Sequence, residues 1–220
     1  CAAPLAETEL TLAALDDLAG RVDGEALDAA LRWIAAGCLV RTLATDIRAA
    51  TSRIYDLVDS VKGFTFMDRA PMPEPVDIRR GIRDAFTMLG AKIRTKGVEV
   101  AMDFAPDLPR AHAVGAELNQ VWMNLLDNAL DAVPKGGRVA VAAGQVRDRV
   151  VVDITDDGAG IPVEIQDRIF DPFFTTKGVG QGTGLGLAIV RRVLQEHDGE
   201  IEFESRPGQT RFRVSLPAER

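Results

Sequence analysis

From Ala26 to Phe64, apolar residues recur at alternating steps of three and four: Ala26, Ala29, Trp33, Ala36, Val40, Leu43, Ile47, Ala50, Ile54, Leu57, Val61 and Phe64. A seven-residue repeat sustained this far makes one long helix with a narrow apolar seam, and such a seam must be covered. No second helix of comparable length follows it. The expected cover is therefore a helix upstream of this chain or a second copy, giving a homodimer through the helical segment. A helix packed on its own globular domain is the alternative, but strict heptad spacing marks bundles better than globular cores. A shorter helical stretch, Glu7 to Leu18, and a break at Arg21 to Gly24 precede the ladder. Three prolines in "MDRAPMPEPVD" (Met67–Asp77) end it, placing a domain boundary between residues 70 and 71.

Beyond the prolines the period changes. Helices are expected over Ile78–Lys96 with Gly97 as the stop, over Glu117–Val133, and over Gly184–His197. Val98–Phe104, Arg138–Ala143, Val150–Thr155, Glu200–Glu204 and Thr210–Leu216 alternate as strands, with a turn at Gln145–Arg149. Helices and antiparallel strands interleaved in this way predict an α+β fold, a two-layer α/β sandwich with a mixed sheet covered by helices. A net charge of −7 argues against non-specific nucleic-acid binding, because no basic surplus is present to neutralise phosphates. No apolar run is long enough to cross a bilayer, so membrane contact is not evident. Two cysteines, Cys1 and Cys38, do not make a disulfide framework, which fits a reducing cytoplasm. A chain beginning at Cys1 suggests either a processed lipoprotein or, the favoured reading, a fragment of a longer protein. Two histidines are too few for an imidazole metal cluster.

Gly182, Gly184 and Gly186 alternate through the onset of the last helix, in "IFDPFFTTKGVGQGTGLGLAIV" (Ile169–Val190). A helix start leaves backbone N–H groups without intrahelical acceptors and carries partial positive charge. Residues without side chains let an anion reach those donors, and the expected anion is a polyphosphate. No Gly-Lys-Ser/Thr is present, so this is not a P-loop, and no register of the glycines matches the dinucleotide fingerprint.

Two further constellations keep the glycines company. In "ELNQVWMNLLDNALDAV" (Glu117–Val133), Asn124 and Asn128 are four apart and share a helix face, with Asp131 on the next turn. Asparagine is a mediocre helix former, so two in an apolar helix form either a structural hydrogen-bonded pair or oxygen ligands for Mg²⁺. In "DDGAGIP" (Asp156–Pro162), a carboxylate at a strand end precedes Gly158 and Gly160, which permit a sharp turn against which a flat ring can lie.

Taken together and in this order, the three constellations resemble the ATP-binding domain shared by sensor histidine kinases, type II topoisomerase and mismatch-repair ATPases and a heat-shock chaperone, the GHKL or Bergerat ATPase fold. "IFDPFFTTK" followed by "GTGLGLAIV" resembles the histidine kinase branch, and the likeness covers about Asp77 to Pro217. The resemblance implies ATP and Mg²⁺ as ligands. It makes Asn128 the Mg²⁺ ligand, with Asn124 and Asp131 near the phosphates. Asp156 becomes the acceptor for the adenine amino group, with Gly158, Gly160 and Ile161 as pocket wall and Thr210 as a hydroxyl that helps hold the base. Gly182, Thr183, Gly184, Leu185, Gly186 and Leu187 supply backbone to the phosphates. Lys177 either reaches the terminal phosphate or is an exposed lid lysine, and Phe170, Phe173 and Phe174 form the apolar base of that lid.

The hydrolytic members of the superfamily carry a water-activating glutamate four residues before the Mg²⁺ asparagine. Here that place is held by Asn124, whose amide is no general base. Phosphoryl transfer needs mostly alignment and charge neutralisation, so Asn124 and Lys177 are the residues expected to serve it. A kinase of this kind carries its phosphoacceptor histidine on the first helix of a dimerisation hairpin, and neither His112 nor His197 sits in such a context. The ladder helix resembles the second hairpin helix, so the acceptor is expected outside this chain and the onward partner is a response regulator receiver domain. A nucleotide-gated dimerisation module without chemistry and a water-activating ATPase are the alternatives.

Overall fold

A computed structural model describes residues 20, 24, 26–37, 39–40, 43–44, 72–178 and 182–219. Two compact units divide the chain, Cys1–Asp59 and Ser60–Arg220. In the first, residues 26–37 form helix α1, and residues 39, 40, 43 and 44 are also helical. The apolar ladder stands in the open there: Trp33 is 81% exposed, Val40 65% and Leu43 50%. The ladder from Ile47 to Phe64, the helix expected over Glu7–Leu18, the boundary between residues 70 and 71 and all of the expected Arg21–Gly24 break except Gly24 lie outside the described residues; Gly24 itself is helical, at φ +61°.

The second unit begins with β1 (Glu74–Val76), a short strand that sequence periodicity does not reveal because it is three residues long and contains Pro75. It pairs antiparallel with β3 (Ala111–Ala113). Between them α2 (Ile78–Met88) is started by Asp77, whose carboxylate accepts from the Arg79 N–H at 3.0 Å and pairs with the Arg79 guanidinium at 2.8 Å. Ile78, Ile82, Ala85 and Phe86 form its buried stripe. The single helix expected over Ile78–Lys96 is in fact two. Leu89, buried and at φ −82°, ψ 1°, breaks the helical path before Gly90, and α3 runs from Gly90 to Lys96. Gly97 stops it at φ +64°, as its position predicts.

A five-stranded mixed sheet follows in the order β2-β4-β5-β7-β6, formed by β2 (Glu99–Phe104), β4 (Arg138–Val146), β5 (Arg149–Asp156), β6 (Glu200–Arg206) and β7 (Gln209–Pro217). Only the β2–β4 pair is parallel, and α4 (Gly115–Ala132) lies on the connection between those two strands. β4 and β5 extend further than the alternation suggests. Val146 pairs with Arg149, which reduces the expected turn at 145–149 to Arg147 and Asp148, with Arg147 at φ +56°. Two more helices complete the unit, a single turn α5 (Val163–Gln166) that was not expected and α6 (Gly186–Glu196).

The core lies between the helices and one face of the sheet. Leu118, Val121, Trp122, Leu125, Leu126 and Leu130 of α4 meet Val139 and Val141, Val150, Val152 and Ile154, and Phe212, Val214 and Leu216. Alternate residues of β4, β5 and β7 contribute, as a sheet covered on one face requires. Trp122 is fully buried, and truncating a side chain of that size costs about 3–5 kcal/mol. The sandwich expected from the sequence is the one observed. Among the described residues no helix is long and apolar enough to cross a membrane.

Candidate functional site

Helix α4 brings the two asparagines to the surface of the core. Leu125, Leu126 and Ala129 are buried while Asn124 and Asn128 are half-buried beside them, so the helix turns its apolar stripe inward and its amides toward Gly186 and Lys177. Lys177 donates to the Asn128 Oδ1 at 3.2 Å and to the Asp131 Oδ2 at 2.5 Å. Lys92 of α3 reaches the other oxygen of Asp131 and the Asp127 Oδ1, each at 2.5 Å. Burial alone would raise the Asp131 carboxyl, but Lys177 and Lys92 outweigh it and hold the group below the usual carboxylate range. Lys92 shows the converse, since burial works to lower its ammonium and Asp127 and Asp131 carry it above the usual value.

A cation thus already sits between a carboxamide and a carboxylate oxygen, and hard oxygen donors of this kind suit Mg²⁺. No group of three or more His, Cys, Asp or Glu residues able to hold a metal occurs among the described residues. A divalent ion here would have to complete its shell with phosphate oxygens and water, as Mg²⁺ commonly does. Lys96 adds a role that the sequence does not disclose. Its ammonium donates to the carbonyls of Leu130, Asp131 and Val133 at 2.7, 3.1 and 2.8 Å, satisfying the open end of α4.

At the far end of β5, Asp156 is 4% exposed, and it stands opposite Thr210 of β7, itself 3% exposed. Desolvation pushes the Asp156 carboxyl up to about 6. A hydrogen bond from the Gly158 N–H at 3.0 Å opposes the rise and the neighbouring Asp157 adds to it. The loop that follows must pass close to other backbone. A Cβ on Gly158 would meet the Ala132 carbonyl at 2.7 Å, and Gly160, at φ +81°, would place one 2.5 Å from the Arg206 carbonyl. The same loop is tied to the β6–β7 hairpin twice, by the Gly208 N–H to the Gly158 carbonyl at 3.1 Å and by the Ile161 N–H to the Ser205 Oγ at 2.8 Å. Ser205 in turn lies 2.9 Å from the Thr210 hydroxyl.

The glycine run enters α6 two residues later than its sequence suggests, at Gly186, with the buried Leu185 before it. A Cβ on Gly186 would stand 3.0 Å from the Asn124 Oδ1, so the first helical backbone lies directly against α4. Gly184 has a second reason to be glycine. It is at φ +68°, and a Cβ there would meet the Phe173 carbonyl carbon at 2.4 Å. The Thr183 hydroxyl accepts weakly from the Leu185 N–H at 3.4 Å, Gly182 lies close to Thr175 and Lys177, and Leu187 packs on the core. Phe170 meets Phe203 edge-on at 6.0 Å, the Arg168 guanidinium covers the Phe174 ring at 4.5 Å, and Phe173 is exposed. At the other end of α6, His197 is buried. Its Nε2 accepts from the Val114 N–H at 2.9 Å, and its Nδ1 donates to the Val193 carbonyl at 2.8 Å. His112, on β3, is exposed.

Two groupings emerge, joined by the end of α4. Asn124, Asn128, Asp131, Lys177 and the Gly182–Leu187 backbone meet at one, and Asp156, Gly158, Gly160, Ile161 and Thr210 meet at the other. Lys92, Asp127 and Ser205 belong with them and were missed.

Residues 113–220 match the family described as histidine kinase-, DNA gyrase B-, and HSP90-like ATPase. The chain belongs to this family as a GHKL-type catalytic domain of the histidine kinase type. Over 184 residues it is 36% identical to the sensory histidine kinase/phosphatase NtrB of Rhodobacter capsulatus, covering 76% of this chain and 50% of that protein. The nucleotide-free catalytic domain of histidine kinase ThkA superposes with a TM-score of 0.61 at 31% identity, covering 66% of this chain and 95% of that one. ThkA in complex with response regulator protein TrrA shares the fold at a TM-score of 0.66 and 22% identity, over 93% of this chain and 55% of that one. The chain spans half or less of the length of the first curated relatives it matches.

Proposed function

We propose that this chain is the ATP-binding catalytic part of a two-component sensor histidine kinase acting in the cytoplasm. It passes the γ-phosphoryl group of Mg-ATP to a histidine outside the chain, and from there to an aspartate of a response regulator receiver domain. The observation that carries this reading is the meeting of the Gly186 backbone with Asn124, beside an ammonium held by Asn128 and Asp131. Helix-start N–H groups, carboxamide and carboxylate oxygens and an ammonium lie close together there, which suits a magnesium-bound polyphosphate.

Each residue then has a task. Asp156 accepts from the adenine amine, and Gly158, Gly160 and Ile161 wall the base. The backbone from Gly182 to Leu187 donates to phosphate oxygens. Asn128 holds Mg²⁺, with Asp131 beside it and Asn124 against the phosphates, and the bound ion supplies charge neutralisation at those oxygens. Lys177 leaves Asp131 for the terminal phosphate. An imidazole nitrogen of the acceptor forms the new P–N bond as the bond from the γ-phosphorus to the bridging oxygen breaks. ADP carries away the electron pair and the imidazole gives up its N–H proton to solvent.

Asn124 offers no base to activate water, which favours transfer over hydrolysis. His197 is buried with both ring nitrogens engaged, which supports an acceptor elsewhere. A titration calorimeter should register Mg²⁺-dependent heat with ATP. Labelled ATP should leave this chain almost unlabelled, and the label should appear on a histidine-bearing hairpin helix added in trans. No heat at any magnesium level would sink the nucleotide assignment, and binding without transfer would leave the gated module.

A further inference from the structure

We propose that Ser205 is a specificity-determining positioning residue that sets the direction of the Thr210 hydroxyl and so makes the site choose adenine over guanine. The inference rests on the adenine assignment above. Ser205 and Thr210 are cross-strand partners on β6 and β7, and Thr210 is at the same time the partner of Asp156 on β5. A single row across three strands therefore carries a serine, a threonine and a carboxylate. The Ile161 N–H, a donor only, points at the Ser205 Oγ from 2.8 Å. The Ser205 hydroxyl lies 2.9 Å from the Thr210 Oγ1, and in the proposed relay it donates there while its oxygen accepts from Ile161. Thr210 then receives and its own proton is free to point at the base.

The row becomes a one-way relay: Ile161 N–H to Ser205, Ser205 O–H to Thr210, Thr210 O–H onward. Beside it stands Asp156, an acceptor. Adenine presents an amine donor next to a ring-nitrogen acceptor, the complement of a carboxylate beside a donating hydroxyl. Guanine presents a carbonyl oxygen and a ring N–H, so both contacts would be like against like, and unpaired polar groups in a buried site are costly. Were the relay reversed, Thr210 would offer the base only lone pairs and the discrimination would weaken. The serine also ties the loop to the hairpin, but the Gly208 N–H to Gly158 carbonyl bond does so independently and survives its loss.

Calorimetric titration of the whole chain with ATP and with GTP, in Mg²⁺, tests this. Ser205→Ala should weaken ATP binding roughly tenfold and leave GTP within about twofold, the size of one buried hydrogen bond. Ser205→Thr, which keeps the hydroxyl, should restore the ATP-to-GTP ratio. Thr210→Val should lose as much as Ser205→Ala, and the double variant no more than Thr210→Val alone, because the serine acts through the threonine. An unchanged ATP-to-GTP ratio in Ser205→Ala, or additive losses in the double variant, overturns the relay. Should Ser205→Ala fail to fold, Ser205→Cys takes its place, with a partial loss of the ratio expected and full retention overturning the proposal. Failure of the underlying assignment looks different, since the wild type would then show no ATP heat or Asp156→Asn would leave the ratio untouched.

Discussion

Asp156 carries a charge that its surroundings resist. Its carboxyl stands at about 6 in the folded chain against an ordinary 3.8. Between those values the folded form holds a proton that the unfolded form has released, so stability falls as pH rises from about 4 to 6 and the penalty persists above. Asp156→Asn should therefore stabilise the ligand-free protein at pH 7.5 by on the order of 1 kcal/mol in urea unfolding, with the gain gone below about pH 4. The same change should weaken ATP binding, so the two readouts move in opposite directions. Asn128→Ala removes one cation-facing oxygen. Measured by calorimetry, it should cut the Mg²⁺ enhancement of ATP affinity at least about tenfold while leaving Mg²⁺-free binding within about threefold. By the sequence expectation for the glycine run, Gly184→Ala puts a methyl group in the path of the phosphates. In the structure that methyl strikes the Phe173 backbone, so the variant should also lose thermal stability, by several degrees in a melting scan. Asn124, Asn128 and Asp131 were legible because helical spacing puts them on one face. Lys92 and Ser205 were not, because their partners lie 35 and 44 residues away and no local pattern announces them.

At the level of elements, α6 is tied to α4 at both of its ends. Its first turn lies on Asn124, and its last residue is followed by His197, which accepts from the backbone where α4 begins. His197→Ala would leave the Val114 N–H and the Val193 carbonyl without this partner inside the protein and open a cavity. The expected cost is about 2–4 kcal/mol in urea unfolding, with Ala to be compared against Gln, which retains a hydrogen-bonding group. Long elements with a steady period were legible: α4, α6 and the five strands of the main sheet lie within a few residues of their expected limits. The split between α2 and α3 was not, because Leu89 keeps the apolar stripe going while its backbone departs from the helix. β1, β3 and α5 are too short to show a period at all, and β1 also contains a proline that reads as a breaker.

For the whole molecule, the ladder helix bears on assembly. Trp33, Val40 and Leu43 are apolar and exposed along one heptad seam. If a second copy covers them, sedimentation equilibrium should find a dimer, and Trp33→Asp with Leu43→Asp should give a monomer that still binds nucleotide. A stable monomer in the wild type at high concentration would count against the homodimer expected from the ladder. Asp131 keeps an ammonium on either side, Lys92 from α3 and Lys177 from the loop before the glycine run. Arrival of a metal-bound nucleotide is then an exchange of one positive partner for another instead of the filling of a bare negative hollow. Affinity for Mg-ATP should accordingly fade only gently as ionic strength climbs, less than the triphosphate's own charge would suggest.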